Sequence, residues 1–529
     1  MSNHDVIVIG AGFAGMYMLH RMRQQGLDTR VFEAGEDVGG TWYWNRYPGA
    51  RCDIESMEYS YQFDEQLQQE WVWHERYAAQ PEILSYAQHV ADRFQLREDI
   101  QFNTRVVSLH FDEEQQLWHV ATDDGKQSTA NFVVAATGCL SVPLLPSIAG
   151  QDDFKGAVYH TGQWPHEGVD FSGKRVGVIG TGSSGIQCIP LIAEQAAQLT
   201  VFQRTPNYSV PAQNAPLDPE LQQRVKARYA DLRERSRQMI TGFGARHPQN
   251  QGFTFEMTPE QRRAQFERHW ELGGLLFGSA FGDLLTDEEA NEEAAEFVRD
   301  KIRSIVKDPQ VAQKLVPDST FFCKRLCADT GYFETYNRDN VQLVDVREHP
   351  IQRITATGVS TGNADYALDC LVFATGFDAM TGALERIDIR GKGGQTLKEK
   401  WAEGPRTYLG LETAGFPNLF MITGPGSPSV LTNMLPTIEQ HVDFVANCIA
   451  HLRAHELRCI EADANAENAW VEHVNAVADT TLYPSCNSWY LGANVPGKPR
   501  VFLPLLGFPD YIARCDEVVA QGYEGFLLS

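Results

Sequence analysis

Short apolar runs closed by glycine, each followed by a stretch of helical period, recur along the chain and set its outline. Val6-Ile7-Val8-Ile9 reads as a buried strand. It runs into Gly10-Ala11-Gly12-Phe13-Ala14-Gly15 and an amphipathic helix through Arg23, and a second strand, Thr29 to Phe32, ends at Glu33. The pattern returns much later: Arg175-Val176-Gly177-Val178-Ile179, then Gly180-Thr181-Gly182-Ser183-Ser184-Gly185, another helix, and a strand from Leu199 to Gln203. Two more apolar runs, 132–136 and 371–374, lead into Thr137-Gly138 and Thr375-Gly376, where a dinucleotide-binding domain would close its sheet. From Leu217 to Val306 the character shifts to long polar helices. There Thr286-Asp287-Glu288-Glu289 predicts a capping box, with Ala290, Ala294, Phe297 and Ile305 near one face. Gly424-Pro425-Gly426-Ser427-Pro428 and Val495-Pro496-Gly497-Lys498-Pro499 predict loops, candidate walls or lids of a site.

The two glycine-rich turns carry the first chemistry. GxGxxG alone is weak, but here it follows a strand, opens a helix and has an acid roughly 20 residues on, which completes the dinucleotide fingerprint. Gly10, Gly12 and Gly15 let the backbone approach a pyrophosphate at the helix N-terminus beside Phe13, and Glu33 suits ribose hydroxyls. The second unit ends in Gln203-Arg204-Thr205 instead of an acid. A carboxylate there would repel a 2′-phosphate, whereas a guanidinium pairs with it, so FAD is expected at the first site and NADPH at the second. Thr181, Gly182, Ser183, Ser184, Gly185, Ile186 and Gln187 form the expected second cradle. Two nucleotide sites in one chain favour electron passage from nicotinamide to flavin.

The fold class expected is α/β, with two Rossmann-type dinucleotide-binding domains and a helical insertion. Residues 1–145 would begin the FAD domain and 146–214 the NADP domain. The insertion would span 215–310, after which 311–380 completes the NADP domain and 381–529 the FAD domain, with a mobile loop.

Composition narrows the picture. At 529 residues and 43% hydrophobic the chain can build more than one core. Mean hydropathy is -0.33, and no apolar run reaches the ~18 residues of a membrane span. The N-terminus, already a strand at Asp5, leaves no room for a signal peptide. A formal charge of -24 and a pI near 5.0 argue against nucleic acid or anionic membrane as partners. Ten scattered cysteines fit a reducing cytosol, so the expected location is cytoplasmic. Cys323 and Cys327 are the only close pair, and their spacing is not CxxC. No metal site is expected, and the chain is taken as a monomer or weak homo-oligomer.

Longer motifs carry a resemblance over essentially the whole chain. Gly39-Gly40-Thr41-Trp42-Tyr43-Trp44-Asn45-Arg46-Tyr47-Pro48-Gly49-Ala50-Arg51-Cys52-Asp53 resembles the long fingerprint of type I Baeyer–Villiger monooxygenases. Phe154, Gly156, His160, Trp164 and Pro165 match that family's FxGxxxHxxxW(P/D) motif. The stretches 401–411 and 492–498 look most like the phenylacetone-type group. Disulfide reductases of related fold carry a redox cysteine at the Trp42 place, and its absence counts against that chemistry.

The resemblance implies a ketone and O2 as substrates and an ester or lactone as product. It assigns Arg325 as the catalytic arginine, assisted by Asp53, in a segment where some members carry proline in place of Leu326. It also assigns Thr41, Trp42, Tyr43, Trp44, Arg51, Cys52, Asp53, Tyr59 and Val106 to the flavin side. Arg204, Thr205 and Lys324 would meet the NADPH 2′-phosphate, and Trp489 would close on the nicotinamide cofactor. His160 would be structural. The loop 427–432, longer than in cyclohexanone-type members, would wall the substrate pocket with Met434 and admit aryl-substituted and larger cyclic ketones. The alternative is a flavin-containing monooxygenase acting on amines or sulfides, whose related motif usually lacks the ending seen at Trp164-Pro165.

Overall fold

The computed structural model describes residues 2–248, 252–498 and 504–529, so Pro499 of the second predicted loop lies outside the described residues. β1 (Ser2–Ile9) runs parallel to β2 (Thr29–Phe32) on one side and to Gln127–Ala135 on the other. Val6, Ile7 and Val8 are fully buried, as a strand covered on both faces requires. Between β1 and β2 the chain forms α1 (Phe13–Gln24), matching the predicted helix. The second unit repeats the arrangement with β3 (Arg175–Ile179), α2 (Ser183–Gln195) and β4 (Gln198–Gln203). Its sheet is wholly parallel, in the order Val341–Asp345, β4, β3, Cys370–Phe373, Ala157–His160. The strands 127–135 and 370–373 therefore sit beside β1 and β3, where the two predicted closing strands belong.

The first sheet has eight strands among the described residues and draws them from both ends of the chain. Leu419–Met421 pairs with Gln127–Ala135, and Asp388–Arg390 pairs with Val106–Asp112. The buried helix Met434–Ala454 lies across α1, and the Tyr17 hydroxyl donates to Asp443 at 2.9 Å.

The polar stretch after 217 is helical, as Pro219–Lys226, Tyr229–Arg237, Pro259–Leu272 and Glu288–Ile305. It does not attach to one sheet alone. Val225, Tyr229 and Leu232 pack into the core of the first unit, whereas Phe266, Phe277, Ala290 and Phe297 pack into that of the second. Ala290, Ala294 and Phe297 are buried and Ile305 is partly so. The predicted capping box is replaced by a simpler cap. Asp287 accepts from Ala290 N at 2.9 Å, while the Thr286 hydroxyl turns back to Asp283 O.

As expected, Cys323 and Cys327 do not pair; the expectation of reduced thiols fails at one place, where Cys323 is bonded to Cys486, 163 residues away, with their Cα atoms 5.8 Å apart. Cys327 is a buried free thiol 3.3 Å from the Ser183 hydroxyl. Among the described residues no helix is long and apolar enough to cross a membrane.

Candidate active site

The glycines of the first turn do different jobs. Gly10 sits at φ +101°, and a Cβ there would lie 2.6 Å from Ala136 O. At Gly15 a Cβ would meet Gly10 O at 1.8 Å, so both glycines are demanded by the chain itself. Gly12 faces only the backbone of Gly40, 3.5 Å away. It is also the N-cap of α1 and supplies no side-chain cap, which leaves the first N–H groups of the helix for an anionic ligand. Glu33, buried at the end of β2, accepts from Ala11 N at 2.6 Å and Gly35 N at 2.7 Å. Burial raises its carboxyl pKa while those two donors pull it down. Thr104 N donates to Glu33 O, which brings the start of the Val106–Asp112 strand to the same corner.

Thr41–Trp44 forms one helical turn with Trp42 and Tyr43 buried, and Trp42 Nε1 donates to the Tyr59 hydroxyl at 3.1 Å. Tyr43 OH accepts from Glu36 N at 3.0 Å. Cys52 is buried in the core, and Arg51 is paired with Glu75. The close Gly12–Gly40 backbone contact, which leaves no side chain over the helix end, the uncapped helix and the acid at the strand end fit the pyrophosphate and ribose of an FAD.

The second turn is built alike. A Cβ at Gly180 would meet Ala374 O at 2.3 Å and one at Gly185 would meet Gly180 O at 2.3 Å, whereas Gly182 is open. α2 likewise lacks a side-chain N-cap. Thr181 Oγ1 donates to Thr205 O at 3.0 Å, fixing the turn against the end of β4. Arg204 is exposed there, and Lys324 lies close enough to feel its charge: burial first, then Arg204, lowers the Lys324 pKa. No carboxylate among the described residues lies within ion-pairing distance of either. Two neighbouring cations, with Asp318 acting on Lys324 from beyond ion-pairing distance, fit a 2′-phosphate.

The helix α2 also joins the two units. Gln187 accepts from the Tyr47 hydroxyl at 2.8 Å and donates to Arg51 O at 3.1 Å. Gly49 packs so close to the Gln187 backbone that a Cβ would sit 2.4 Å from its carbonyl oxygen. Gln187 thus binds the long fingerprint to the second site, and the Ile186 side chain belongs to the core. His160 is buried, accepts from Gly162 N through Nδ1 at 2.9 Å and lies 3.3 Å from the Thr375 hydroxyl. Burial lowers its pKa, in keeping with a neutral structural residue. Trp164 N donates to Trp44 O at 3.4 Å, a further tie to the flavin side.

Between the two sites lies Arg325. Phe322, at φ +67°, turns the chain into Cys323-Lys324-Arg325. Arg325 donates from Nε to Asp53 Oδ2 at 2.8 Å and from Nη2 to Oδ1 at 2.9 Å, a bidentate fork across 272 residues. Nη1 donates to Val430 O at 2.8 Å. Burial works against the charge, but Asp53 and the Tyr490 hydroxyl outweigh it and hold the guanidinium pKa well above its usual value. Both side chains of the pair stay about a quarter exposed, 25% for Arg325 and 24% for Asp53, so the cation is reachable. Around it, Val430, Leu431 and Tyr490 form an apolar cluster edged by Leu140, Met434 and Trp489.

The profile of the flavin-binding monooxygenase-like family matches residues 3–227. The chain is 43% identical over 532 residues to a Baeyer–Villiger monooxygenase of Pseudooceanicola batsensis, covering 99% of this chain and 96% of that one. It is 42% identical to the phenazine N-monooxygenase PhzNO1 of Lysobacter antibioticus, covering 100% and 97%. A solved structure of an oxidized steroid monooxygenase bound to NADP superposes with TM-score 0.95 at 54% identity, covering 100% of this chain and 99% of that one. The chain belongs to the Baeyer–Villiger monooxygenase family.

Of the expected residues, Asp53 and Arg325 pair directly, and Lys324 beside Arg325 lies near Arg204. Tyr490 and the Val430 carbonyl were missed by sequence reasoning. Tyr490 follows Trp489 directly, which was the one available signal. Nothing local marks a backbone carbonyl as a ligand for a guanidinium 105 residues away.

Proposed function

We propose that this family member is an FAD- and NADPH-dependent Baeyer–Villiger monooxygenase that inserts one atom of O2 beside a ketone carbonyl to give an ester or lactone. The observation that carries the reading is a reachable guanidinium, locked by Asp53 and the Val430 carbonyl, at the meeting of two dinucleotide cradles. Flavin reduced by NADPH supplies activated oxygen when bound. Arg325 then holds negative charge on the attacking oxygen and on the substrate carbonyl oxygen as it becomes tetrahedral. A guanidinium carries no removable proton near neutral pH, so its work is electrostatic.

Gly10, Gly12, Gly15 and Glu33 would hold FAD, with Thr41 to Trp44 and Tyr59 packed nearby. Residues 181–187, Arg204, Thr205 and Lys324 would hold NADPH, and Trp489 would cover its nicotinamide end. The proposed FAD domain is split between 1–145 and 381–529, and the NADP domain between 146–214 and 311–380. The apolar cluster of Val430, Leu431, Met434 and Tyr490 suits aryl-substituted and larger cyclic ketones. We place the protein in the cytoplasm as a monomer or weak homo-oligomer.

The test is NADPH oxidation by the purified yellow protein over a ketone panel, with products identified by mass. Ketone-stimulated oxidation with esters or lactones is expected. N-oxides or S-oxides from amines or sulfides, with no ester from any ketone, would replace the proposal with heteroatom oxygenation.

A further inference from the structure

Eight of the ten cysteines are free and buried; the other two form the Cys323–Cys486 bond. Its position relates to the site above. Cys323 stands next to Lys324 and two residues before Arg325, while Cys486 stands three residues before Trp489 and four before Tyr490. The bond therefore fastens the segment bearing Trp489 and Tyr490 to the segment bearing both cations.

The fastened segment has little order of its own. Tyr483–Ser485 and Trp489–Leu491 are single 3₁₀ turns, too short to persist without tertiary support. Tyr483 and Tyr490 pack into the small cluster with Val430 and Leu431, and Leu482 N donates to Leu285 O. A covalent tie adds to this modest set of contacts by restricting the opened conformations of the segment. Cys323 is 1% exposed and Cys486 partly exposed, so of the two Cys486 is the side that an outside thiolate would attack. In the cytoplasm proposed above, a disulfide of this kind belongs to the reversible class more than to the structural one.

We propose that Cys323–Cys486 is a reversible thiol–disulfide site that sets how firmly the 483–491 segment is held against Lys324 and Arg325, and so how tightly NADP is retained. This rests on the reading of Trp489 as the cover of the nicotinamide end; the cross-link chemistry itself does not. The oxidant is hydrogen peroxide, which flavin monooxygenases release when oxygen activation is not coupled to substrate. One thiolate takes an oxygen from the peroxide, giving a sulfenic acid and, with a proton, water; the second thiol displaces a second water. Two thiols and H2O2 thus become one disulfide and two H2O. In reverse, a dithiol reductant attacks Cys486 Sγ, Cys323 leaves as thiolate and takes a proton, and the second thiol of the reductant releases Cys486. The reductant ends as its own disulfide. Leakage would thus tighten the lid that limits leakage.

The experiment uses the FAD-loaded protein, reduced with dithiothreitol and desalted, then divided and one part treated with stoichiometric hydrogen peroxide. Alkylation before and after denaturing reduction, with peptide mass mapping, reads the cross-link. Amide hydrogen exchange over 483–491 reads the segment, and calorimetry reads NADP binding. The peroxide-treated form is expected to carry the Cys323–Cys486 peptide pair, exchange more slowly over 483–491 and bind NADP about three- to tenfold more tightly than the reduced form. Cys486→Ser and Cys323→Ser should both match the reduced form and respond to neither treatment. Free alkylated thiols at both positions after peroxide, or equal exchange over 483–491 in the two forms, would overturn the proposal. If neither form makes ester from any ketone, the functional reading fails, while mapping and exchange still decide this one.

Discussion

Arg325 is held by Asp53 and the Val430 carbonyl, and the nearby Tyr490 adds to the forces that keep it charged; each comes from a different stretch of chain. Such a fork is preorganised, so charge developing opposite it costs little rearrangement. In Arg325→Ala, FAD and NADPH should still bind and bleaching of the flavin by NADPH should persist. Ester formation should fall by at least ~100-fold, the loss of roughly 3 kcal/mol in a charged transition state. Arg325→Lys should rescue little, because a point charge cannot grip both Asp53 oxygens and still face the substrate. Stopped-flow reduction beside product analysis separates the two halves, and near wild-type ester yield in Arg325→Ala would remove this residue from the mechanism. Tyr490→Phe keeps the ring in its cluster and removes only the hydroxyl. About a tenfold loss of ester formation is expected, the size of one polar contact to a charged group, with flavin reduction unchanged. Equal loss in both halves would mark Tyr490 as packing alone. The residues of this centre were legible only through motif resemblance. No periodicity joins Asp53 to Arg325 or either of them to Tyr490.

At the scale of elements, the two strand–turn–helix units were legible almost to the residue, because a buried parallel strand and a glycine-forced turn are both local properties. Thr29–Phe32 and Arg175–Ile179 coincide with their predicted bounds. The insertion was legible as helices but not in its placement, since a polar helix does not announce which core its apolar stripe will meet. The Asp287 cap was misread for a similar reason: Thr286 and Asp287 are both good caps, and the choice rests on how Asp283 engages Thr286. The end of β4 gives the clearest element-level test. Arg204 emerges there, exposed and beside Lys324, and the strand end carries Gln203 where the first unit carries an acid. Arg204→Ala should weaken NADPH binding by about 10- to 100-fold, a charge-assisted contact of roughly 1.5–3 kcal/mol, while NADH use changes little. Parallel titrations with both cofactors decide it, and equal losses would sink the 2′-phosphate assignment.

At the scale of the whole molecule, strands from beyond residue 380 join the first sheet, where the chain's return was expected; the strands themselves escaped the sequence pattern because each is only three residues long. The same joining of distant parts creates a pH-sensitive seam. Glu439, on the helix Met434–Ala454, accepts from Gln62 N at 2.7 Å and Phe63 N at 2.9 Å and is 6% exposed. Burial pushes its carboxyl up from 4.5 to about 7, with the two N–H donors and Arg233 pulling the other way and Asp443 adding to the rise. Below pH 4.5 the group is protonated in folded and unfolded chains alike, and folding is not penalised. As pH rises towards 7 the unfolded chain ionises while the folded one resists, so native stability falls across that window and levels off above it. Glu439→Gln keeps an oxygen for the two N–H donors and removes the titration. Its stability relative to wild type, read from the thermal midpoint, should rise from pH 5 to about pH 7 and then level off, by at most about 3.4 kcal/mol. Melting the FAD-loaded proteins in matched buffers measures this. Curves that stay parallel from pH 5 to pH 8 would show that Glu439 ionises without strain and that the seam is held by packing instead.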